Sequence, residues 1–349
     1  MVKYARLLAL SGLLAALCGG ALAAGSGTPP TPPDVLITIT AAGDVTHGSD
    51  RRKSSNPFRD ELRRQGDDLS FPFRNVQAYF AADDLTLVNY EGALTTAPPA
   101  TENTYCFAGP PQYAQALALG HVEAVALDNN HVFDHGTRGY EDTQKALADA
   151  GVAYSGNGQS AIFTAQGVRI GMLSYRTFDS RYAQIHRNMP EDITALRQAG
   201  CALVVVSYHW GEERATLPNE RQVKLGRATV DAGADLVLGH HSHVINPIEL
   251  YKGKYICYSL ANFSFAGNTN PSDKDTFLFQ QRFYVQGNAA RDAGMRVIPC
   301  RISSTPDYND FIPTPYEEPD AARVLERLQK LGEKLNGGLR VYPTAWLGE

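Results

Sequence analysis

No two cysteines in this sequence stand in CxxC spacing, which removes the usual thiolate zinc and dithiol redox motifs. No run of five like charges occurs, so an acidic or basic tail is excluded. A formal net charge of −5 leaves no excess of positive charge for a general nucleic-acid binder. Beyond the first 23 residues there is no stretch of about 18 uninterrupted apolar residues that could cross a bilayer. No internal repeat is visible, and no Pro- or Gly-rich linker divides the chain after Pro33. What remains is a globular composition, 43% hydrophobic and 20% charged, read as one domain over residues 35–349.

The N-terminus departs from that composition. Lys3 and Arg6 precede an apolar stretch from Leu7 to Leu17, followed by Ala21-Leu22-Ala23. This is the order of a secretory signal over residues 1–23, with cleavage expected after Ala23 and export to the periplasm, cell surface or medium. An uncleaved membrane anchor is the alternative. A lipoprotein signal fits less well, because Leu17 precedes Cys18 where a small residue is wanted. Residues 24–34 contain the Pro-rich run GSGTPPTPP and read as an unstructured spacer. The mature chain keeps Cys106, Cys201, Cys257 and Cys300, an even number that permits two disulfides in an exported protein, with buried free thiols as the alternative.

From residue 35 onward, short β-branched and apolar runs alternate with helical segments. Strands are expected at 35–40, 85–88, 122–127, 202–207, 235–238, 277–285 and 295–302. Hairpins are expected at 161–173, around Gln166-Gly167, and at 247–260, around Lys252-Gly253-Lys254. Helices are expected at 111–119, 137–150, 219–232 and 319–335, the last with Val324, Leu325, Leu328 and Leu331 on one face. The pattern is that of an α/β protein with mixed sheets flanked by helices.

The polar residues gather where apolar strands end. Gly43-Asp44 follows the first strand, Asn89-Tyr90-Glu91-Gly92 the second and Asp128-Asn129-Asn130-His131 the third. Tyr208-His209-Trp210-Gly211-Glu212 follows the strand at 202–207, and Gly239-His240-His241-Ser242-His243 the strand at 235–238. Carboxyl ends of parallel strands share one sheet edge, where α/β proteins bind ligands. Carboxylate, amide and imidazole together form the donor set of a divalent metal. His241 and His243, on an extended segment, would face the same side and reach one metal or two neighbouring ones, with His240 turned away. Asn130 offers a carbonyl ligand and His131 a proton donor, a combination suited to cleaving a phosphate ester or an acyl bond. Asn89, Glu212 and Asn262 are expected to line the substrate side of the same edge, with a structural role closing a turn as the alternative for Asn262.

These motifs together, Gly-Asp-Val (43–45), Asn-Tyr-Glu-Gly (89–92), Asn-Asn-His (129–131), His-Trp-Gly-Glu (209–212) and Gly-His-His-Ser-His-Val (239–244), resemble the CapA family of capsule-biosynthesis proteins. Tyr-Lys-Gly-Lys (251–254) and Tyr-Ser-Leu-Ala-Asn-Phe (258–263) extend the resemblance, which covers roughly Ile37 to Ile302. It implies a four-layer α/β/β/α sandwich of the metallophosphoesterase type. It also implies that Asp44, Glu91, Asn130, His209, His241 and His243 ligate one or two divalent ions (Mn, Zn, Fe or Mg), with His131 as acid or substrate contact. The first strand departs from the phosphoesterase pattern Asp-x-His: Asp44-Val45-Thr46 has no such histidine, and His47 falls one residue too far. Glu91 stands where a bridging Asp is usual. The function implied is a metal-dependent hydrolase or transferase in the synthesis or export of poly-γ-glutamate, with that anionic polymer and its membrane-bound synthase as partners. The alternatives are a non-catalytic polymer-binding or synthase-accessory protein, or a generic phosphoesterase. The basic stretch Arg51, Arg52, Lys53, Arg63 and Arg64 suits an anionic polymer, or is a solvated helix face.

Overall fold

A computed structural model describes residues 34–178 and 181–346. The expected signal sequence and the spacer up to Pro33 lie outside the described residues. The first strand, Val35–Thr46, pairs in parallel with Leu85–Tyr90, which pairs with Ala124–Ala126 and then Ala153–Ser155, also in parallel. On its other edge it pairs antiparallel with Asp275–Gln286, followed by Ala289–Arg301 and the short Thr314–Pro315. The second sheet runs Ile248–Tyr251, Lys254–Cys257, Leu236–His240, Leu203–His209, Val168–Arg176, Ala161–Ala165, with parallel pairing through its centre and antiparallel hairpins at both edges. Both sheets are therefore mixed, as the alternation of helices and hairpins implied.

Side-chain alternation along the strands sorts the core into three layers. Ile37, Ile39, Leu85, Leu203, Val205, Leu236 and Leu238 point between the sheets and form one buried cluster. Val88 and Val125 face the other way, against Phe58, Leu117 and Leu147 of the helices on the first sheet. Val204, Val206 and Val237 face Ile185, Met189, Leu225 and Val230 of the helices on the second. Two sheets packed face to face with helices outside make an α/β/β/α sandwich. The C-terminal helix Asp320–Glu333 sits differently: its Val324, Leu328 and Leu331 enter the inter-sheet cluster.

Several elements depart from the expectations. Arg181–Gln198 is an 18-residue helix absent from the expected elements, because Pro190 stands in its middle and charged residues surround a narrow apolar stripe. That stripe, Ile185, Met189, Ile193 and Leu196, covers the second sheet. Pro57–Arg64 is also helical, capped by the Asn56 side chain on Arg59 N–H at 3.0 Å. The expected strand at 255–260 stops at Cys257, and Asn262–Phe265 begins a new strand beside the end of the first, with Asp44 opposite Asn262. The four described cysteines are buried free thiols, so the disulfides allowed by their number do not form. Cys201, Cys257 and Cys300 lie in three different core layers, which keeps them apart. Among the described residues no helix is long and apolar enough to cross a membrane.

The amino edge of the first sheet carries carboxylates that serve the fold. Asp84 accepts the Thr38 N–H at 2.8 Å, Glu123 accepts the Thr86 N–H at 2.8 Å, and Asp83 accepts the Thr86 hydroxyl at 2.7 Å. Burial pushes the Asp83 carboxyl up to about 8, with the charges of Glu123 and Asp84 adding and the Thr40 and Thr86 hydroxyls opposing. The folded chain thus keeps a proton there that the unfolded chain releases near pH 4. Stability falls as pH rises from about 4 to about 8 and then levels off. Asp83→Asn should flatten this slope, gaining on the order of 2 kcal/mol over wild type at pH 8 and little at pH 4. Denaturant unfolding of both proteins at the two pH values checks this, and an equal difference at both would contradict it.

Candidate metal centre

The carboxyl ends of the parallel strands of both sheets meet at one edge, and close backbone approach is what joins them. A Cβ on Gly43 would lie 2.0 Å from the Ala261 carbonyl oxygen, and one on Gly239 would lie 2.1 Å from the Tyr258 carbonyl oxygen. Only glycine lets these chains touch. Asp44 N–H then donates to the Ala261 carbonyl at 2.9 Å, fixing the carboxylate next to the histidines of the second sheet.

Asp44 and Glu91 are fully buried at the centre. Asp44 Oδ1 accepts from Asn89 Nδ2 at 2.9 Å and lies 3.2 Å from His240 Nδ1; its Oδ2 accepts the His241 N–H at 3.3 Å and lies 3.2 Å from His243 Nδ1. Glu91 Oε1 faces three imidazoles, His131 Nε2 at 3.7 Å, His243 Nε2 at 3.8 Å and His209 Nε2 at 4.0 Å. Neither Glu91 oxygen has a hydrogen-bond partner. His209 Nε2 lies 2.8 Å from Asn130 Oδ1 and 3.1 Å from His241 Nδ1. Phe178 packs edge-on against His241, with ring centroids 4.5 Å apart.

The segment carrying His241 and His243 is bent, not extended. The strand ends at His240, and both histidines adopt positive φ, 92° and 57°, as does Ala261 at 64°. Such conformations are costly for residues with a Cβ and cluster at functional sites. The bend brings the two rings to the same place, with centroids 6.0 Å apart, and sets His243 Nε2 3.8 Å from Glu91 Oε1. His240 is also within the cluster, behind Asp44.

These charges compensate one another. Burial opposes ionisation of Asp44, but the His240 and His243 imidazoles, each 3.2 Å away, outweigh it and hold the carboxyl well below the usual range. Burial, with the charge of Asp44, pushes Glu91 up to about 7. For His243 burial is overcome by the Glu91 and Asp44 carboxylates, which raise it to about 10. Burial and the charge of His243 lower His241 to about 4, and burial with His241 lowers His209. A proton on His243 thus stands in for positive charge, while His209 and His241 keep neutral lone pairs, the form in which imidazole binds metal.

Two groups of donors converge among the described residues. Ligand atoms of Asp44, Glu91 and His209 lie within 4.8 Å of one another, and so do those of Glu213, His241 and His243. The Glu91 carboxylate is the sharpest indication, since it is buried without a hydrogen bond and three imidazole nitrogens stand 3.7–4.0 Å from it, as donors about a shared cation would. The residues present fit a divalent ion.

Of the expected ligands, the site unites Asp44, Glu91, Asn130, His209, His241 and His243. Asn89 is fully buried and holds Asp44, so it supports the carboxylate and does not face a substrate. Asn262 Oδ1 lies 2.9 Å from His243 Nδ1 and orients that ring. Glu212 lines a separate cavity of about 190 Å³, while its neighbour Glu213 lies beside His241 and His243. The sequence could not say which of two consecutive exposed glutamates neighbours the histidines. The Arg214 N–H donating to the Ser242 carbonyl at 2.7 Å fixes that choice. His47 points away, stacked on Phe58 at 4.9 Å, and Thr46 donates its hydroxyl to the Glu91 carbonyl at 2.6 Å, so the first strand supplies no histidine. His131 Nδ1 lies 2.7 Å from Asp134 Oδ2. Burial opposes its charge, but this contact and Glu91 raise its pKa.

Comparison with known proteins agrees with the motifs. A model of the family described as "Bacterial capsule synthesis protein PGA_cap" matches residues 38–266. The capsule biosynthesis protein CapA of Bacillus anthracis is 30% identical over 292 residues, covering 76% of this chain and 67% of that one. The PGA biosynthesis protein CapA of Bacillus subtilis (strain 168) is 30% identical over 257 residues, covering 66% and 64%. The chain thus spans about two thirds of the length of these relatives. The crystal structure of the calcineurin-like phosphoesterase YfkN from Bacillus subtilis superposes with a TM-score of 0.46 at 16% identity, covering 85% of this chain and 98% of that one.

Proposed function

Because this chain belongs to the bacterial capsule synthesis protein family, we propose that it is an exported, metal-dependent hydrolase or transferase acting on an anionic envelope polymer of the poly-γ-glutamate type. The observation that carries the catalytic part is the unpartnered, fully buried Glu91 carboxylate facing three imidazoles. Asp44, Glu91 and His209 would hold one ion and Glu213, His241 and His243 another, with Asn130 beside them. A divalent ion there supplies electrophilic activation of the bond attacked and neutralises developing negative charge.

The chain's own residues supply orientation and proton transfer. Asp134 fixes the ring of His131, which lines the cavity and is placed to give a proton to the leaving group. Asn89 and Asn262 hold Asp44 and His243 in place, and Phe178 packs against the His241 ring.

His131→Gln protein should keep its metal content and lose about 10²–10⁴-fold in polymer turnover. Elemental analysis and polymer chain-length assays check the two halves, and undiminished turnover would remove His131 from the chemistry. A second reading, an accessory without catalysis, is favoured by the absence of a first-strand histidine from the cluster. Full capsule rescue by a His209→Ala/His241→Ala double variant supports that reading; loss of capsule supports the enzyme.

A further inference from the structure

His240 is a buried group that the proposed chemistry does not use. Along its strand, Leu236 and Leu238 enter the inter-sheet cluster, while Val237 faces the outer helices. Side chains alternate in a strand, so His240 continues the inward row, opposite His209 of the neighbouring strand. Its side chain is 1% exposed. It is absent from the wall of the cavity of about 670 Å³ beside the metal centre, where Tyr105, Asn130, His131 and Glu213 stand. Whatever it does for a substrate in that cavity passes through another residue. That residue is Asp44. His240 Nδ1 lies 3.2 Å from Asp44 Oδ1, and neither ring nitrogen has a hydrogen-bond partner among the described residues. The same Oδ1 accepts from Asn89 Nδ2 at 2.9 Å, whereas Oδ2 accepts the His241 N–H at 3.3 Å and lies 3.2 Å from His243 Nδ1. One carboxylate oxygen is thus met by Asn89 from the first sheet and His240 from the second. The other is turned to the segment that carries His241 and His243. In a low-dielectric interior an imidazole dipole acts strongly on a carboxylate, and the groups behind a ligating carboxylate set its orientation.

We propose that His240 is a positioning residue for the metal centre: its Nδ1–H, directed at Oδ1, fixes the rotation of the Asp44 carboxylate and thereby sets how tightly the site holds a divalent ion. Asn89 pins Oδ1 within the first sheet alone. His240 ties the same atom to the second sheet, so the carboxylate is locked between the two sheets that supply the ligands. This inference rests on the metal-dependent reading above and adds to it a residue outside the donor set.

The test compares the full wild-type chain with His240→Asn, His240→Gln and His240→Leu. Each is stripped of metal and titrated with Mn and with Zn by calorimetry, and the melting temperature of each metal-free protein is the second readout. The asparagine amide nitrogen takes the place of Nδ1, the glutamine nitrogen reaches that of Nε2, and leucine has no donor. His240→Leu and His240→Gln should bind metal about 10–100-fold more weakly, and His240→Asn within about threefold of wild type. A histidine that serves the fold alone would lower the metal-free melting temperature and leave the affinities unchanged. His240→Gln affinities within about threefold of wild type therefore overturn the positioning role, and this polar variant carries the test if His240→Leu does not fold. Equal weakening in His240→Asn and His240→Gln overturns the assignment to Nδ1. A wild type that takes up neither ion overturns the metal-dependent reading, and the role of His240 with it.

Discussion

Glu91→Gln protein stripped of metal melts no lower than wild type stripped in the same way, and divalent cations no longer raise its melting temperature. The substitution keeps the shape of the side chain and removes a buried carboxylate that has no hydrogen-bond partner. In the metal-free wild type burial pushes that carboxyl up to about 7, and only the His243 imidazolium 3.8 Å away offsets its charge, so an amide in its place costs little. In the loaded wild type the carboxylate is an asset. An ion at a hundred times its Kd stabilises the folded state by about 2.7 kcal/mol, which raises the melting temperature by about 5 °C in a domain of this size. Thermal melts of both proteins, with and without added Mn, Zn or Mg, separate the two roles. A metal-free variant that melts several degrees lower, and still responds fully to metal, would make Glu91 a structural residue.

Gly43→Ala and Gly239→Ala each lose about 3 kcal/mol or more, enough to bring most of the chain into the insoluble fraction. At both positions the added methyl meets a backbone carbonyl, Ala261 at 2.0 Å or Tyr258 at 2.1 Å, and no side-chain rotation relieves it. The strands must move apart at the place where the sheets meet. For Gly43 the damage extends to chemistry, because the neighbouring Asp44 N–H bonds to the same Ala261 carbonyl. Any soluble Gly43→Ala protein should therefore bind metal more weakly as well. Chemical denaturation checks the first part, and midpoints within 0.5 M of wild type would show that the sheets yield at little cost, at roughly 1–3 kcal/mol per M of urea.

How much of this could be read beforehand follows from which features are local. Strand ends bearing Asp44, Glu91, Asn130, His209 and His241 were readable because parallel strands must deliver their carboxyl ends to one edge. The alternation of Leu203 and Val205 against Val204 and Val206 carries the two faces of a buried strand but not their destinations, since both faces are apolar. Glu213 was missed because the loop that orients it is fixed by a contact with Ser242, 28 positions along the chain. The arrangement of His241 and His243 was anticipated for the wrong reason. Their rings converge through a strained bend, which backbone propensity disfavours and tertiary contacts impose. The helix Arg181–Gln198 was hidden by Pro190, yet its stripe of Ile185, Met189, Ile193 and Leu196 has helical spacing. The basic stretch divides: Arg64 pairs with Glu61 on the first helix, while Lys53 lies over Tyr105, a residue of the large cavity's wall.

The central claim is that the buried Asp, Glu and His cluster is a divalent-metal site. Elemental analysis of the purified chain, after dialysis against buffer free of chelator, measures it directly. One or two equivalents of a divalent metal per chain, falling to none in a Glu91→Gln/His241→Ala double variant, is the expected result. A wild-type chain that holds no metal, even after incubation with excess Mn or Zn, would contradict it.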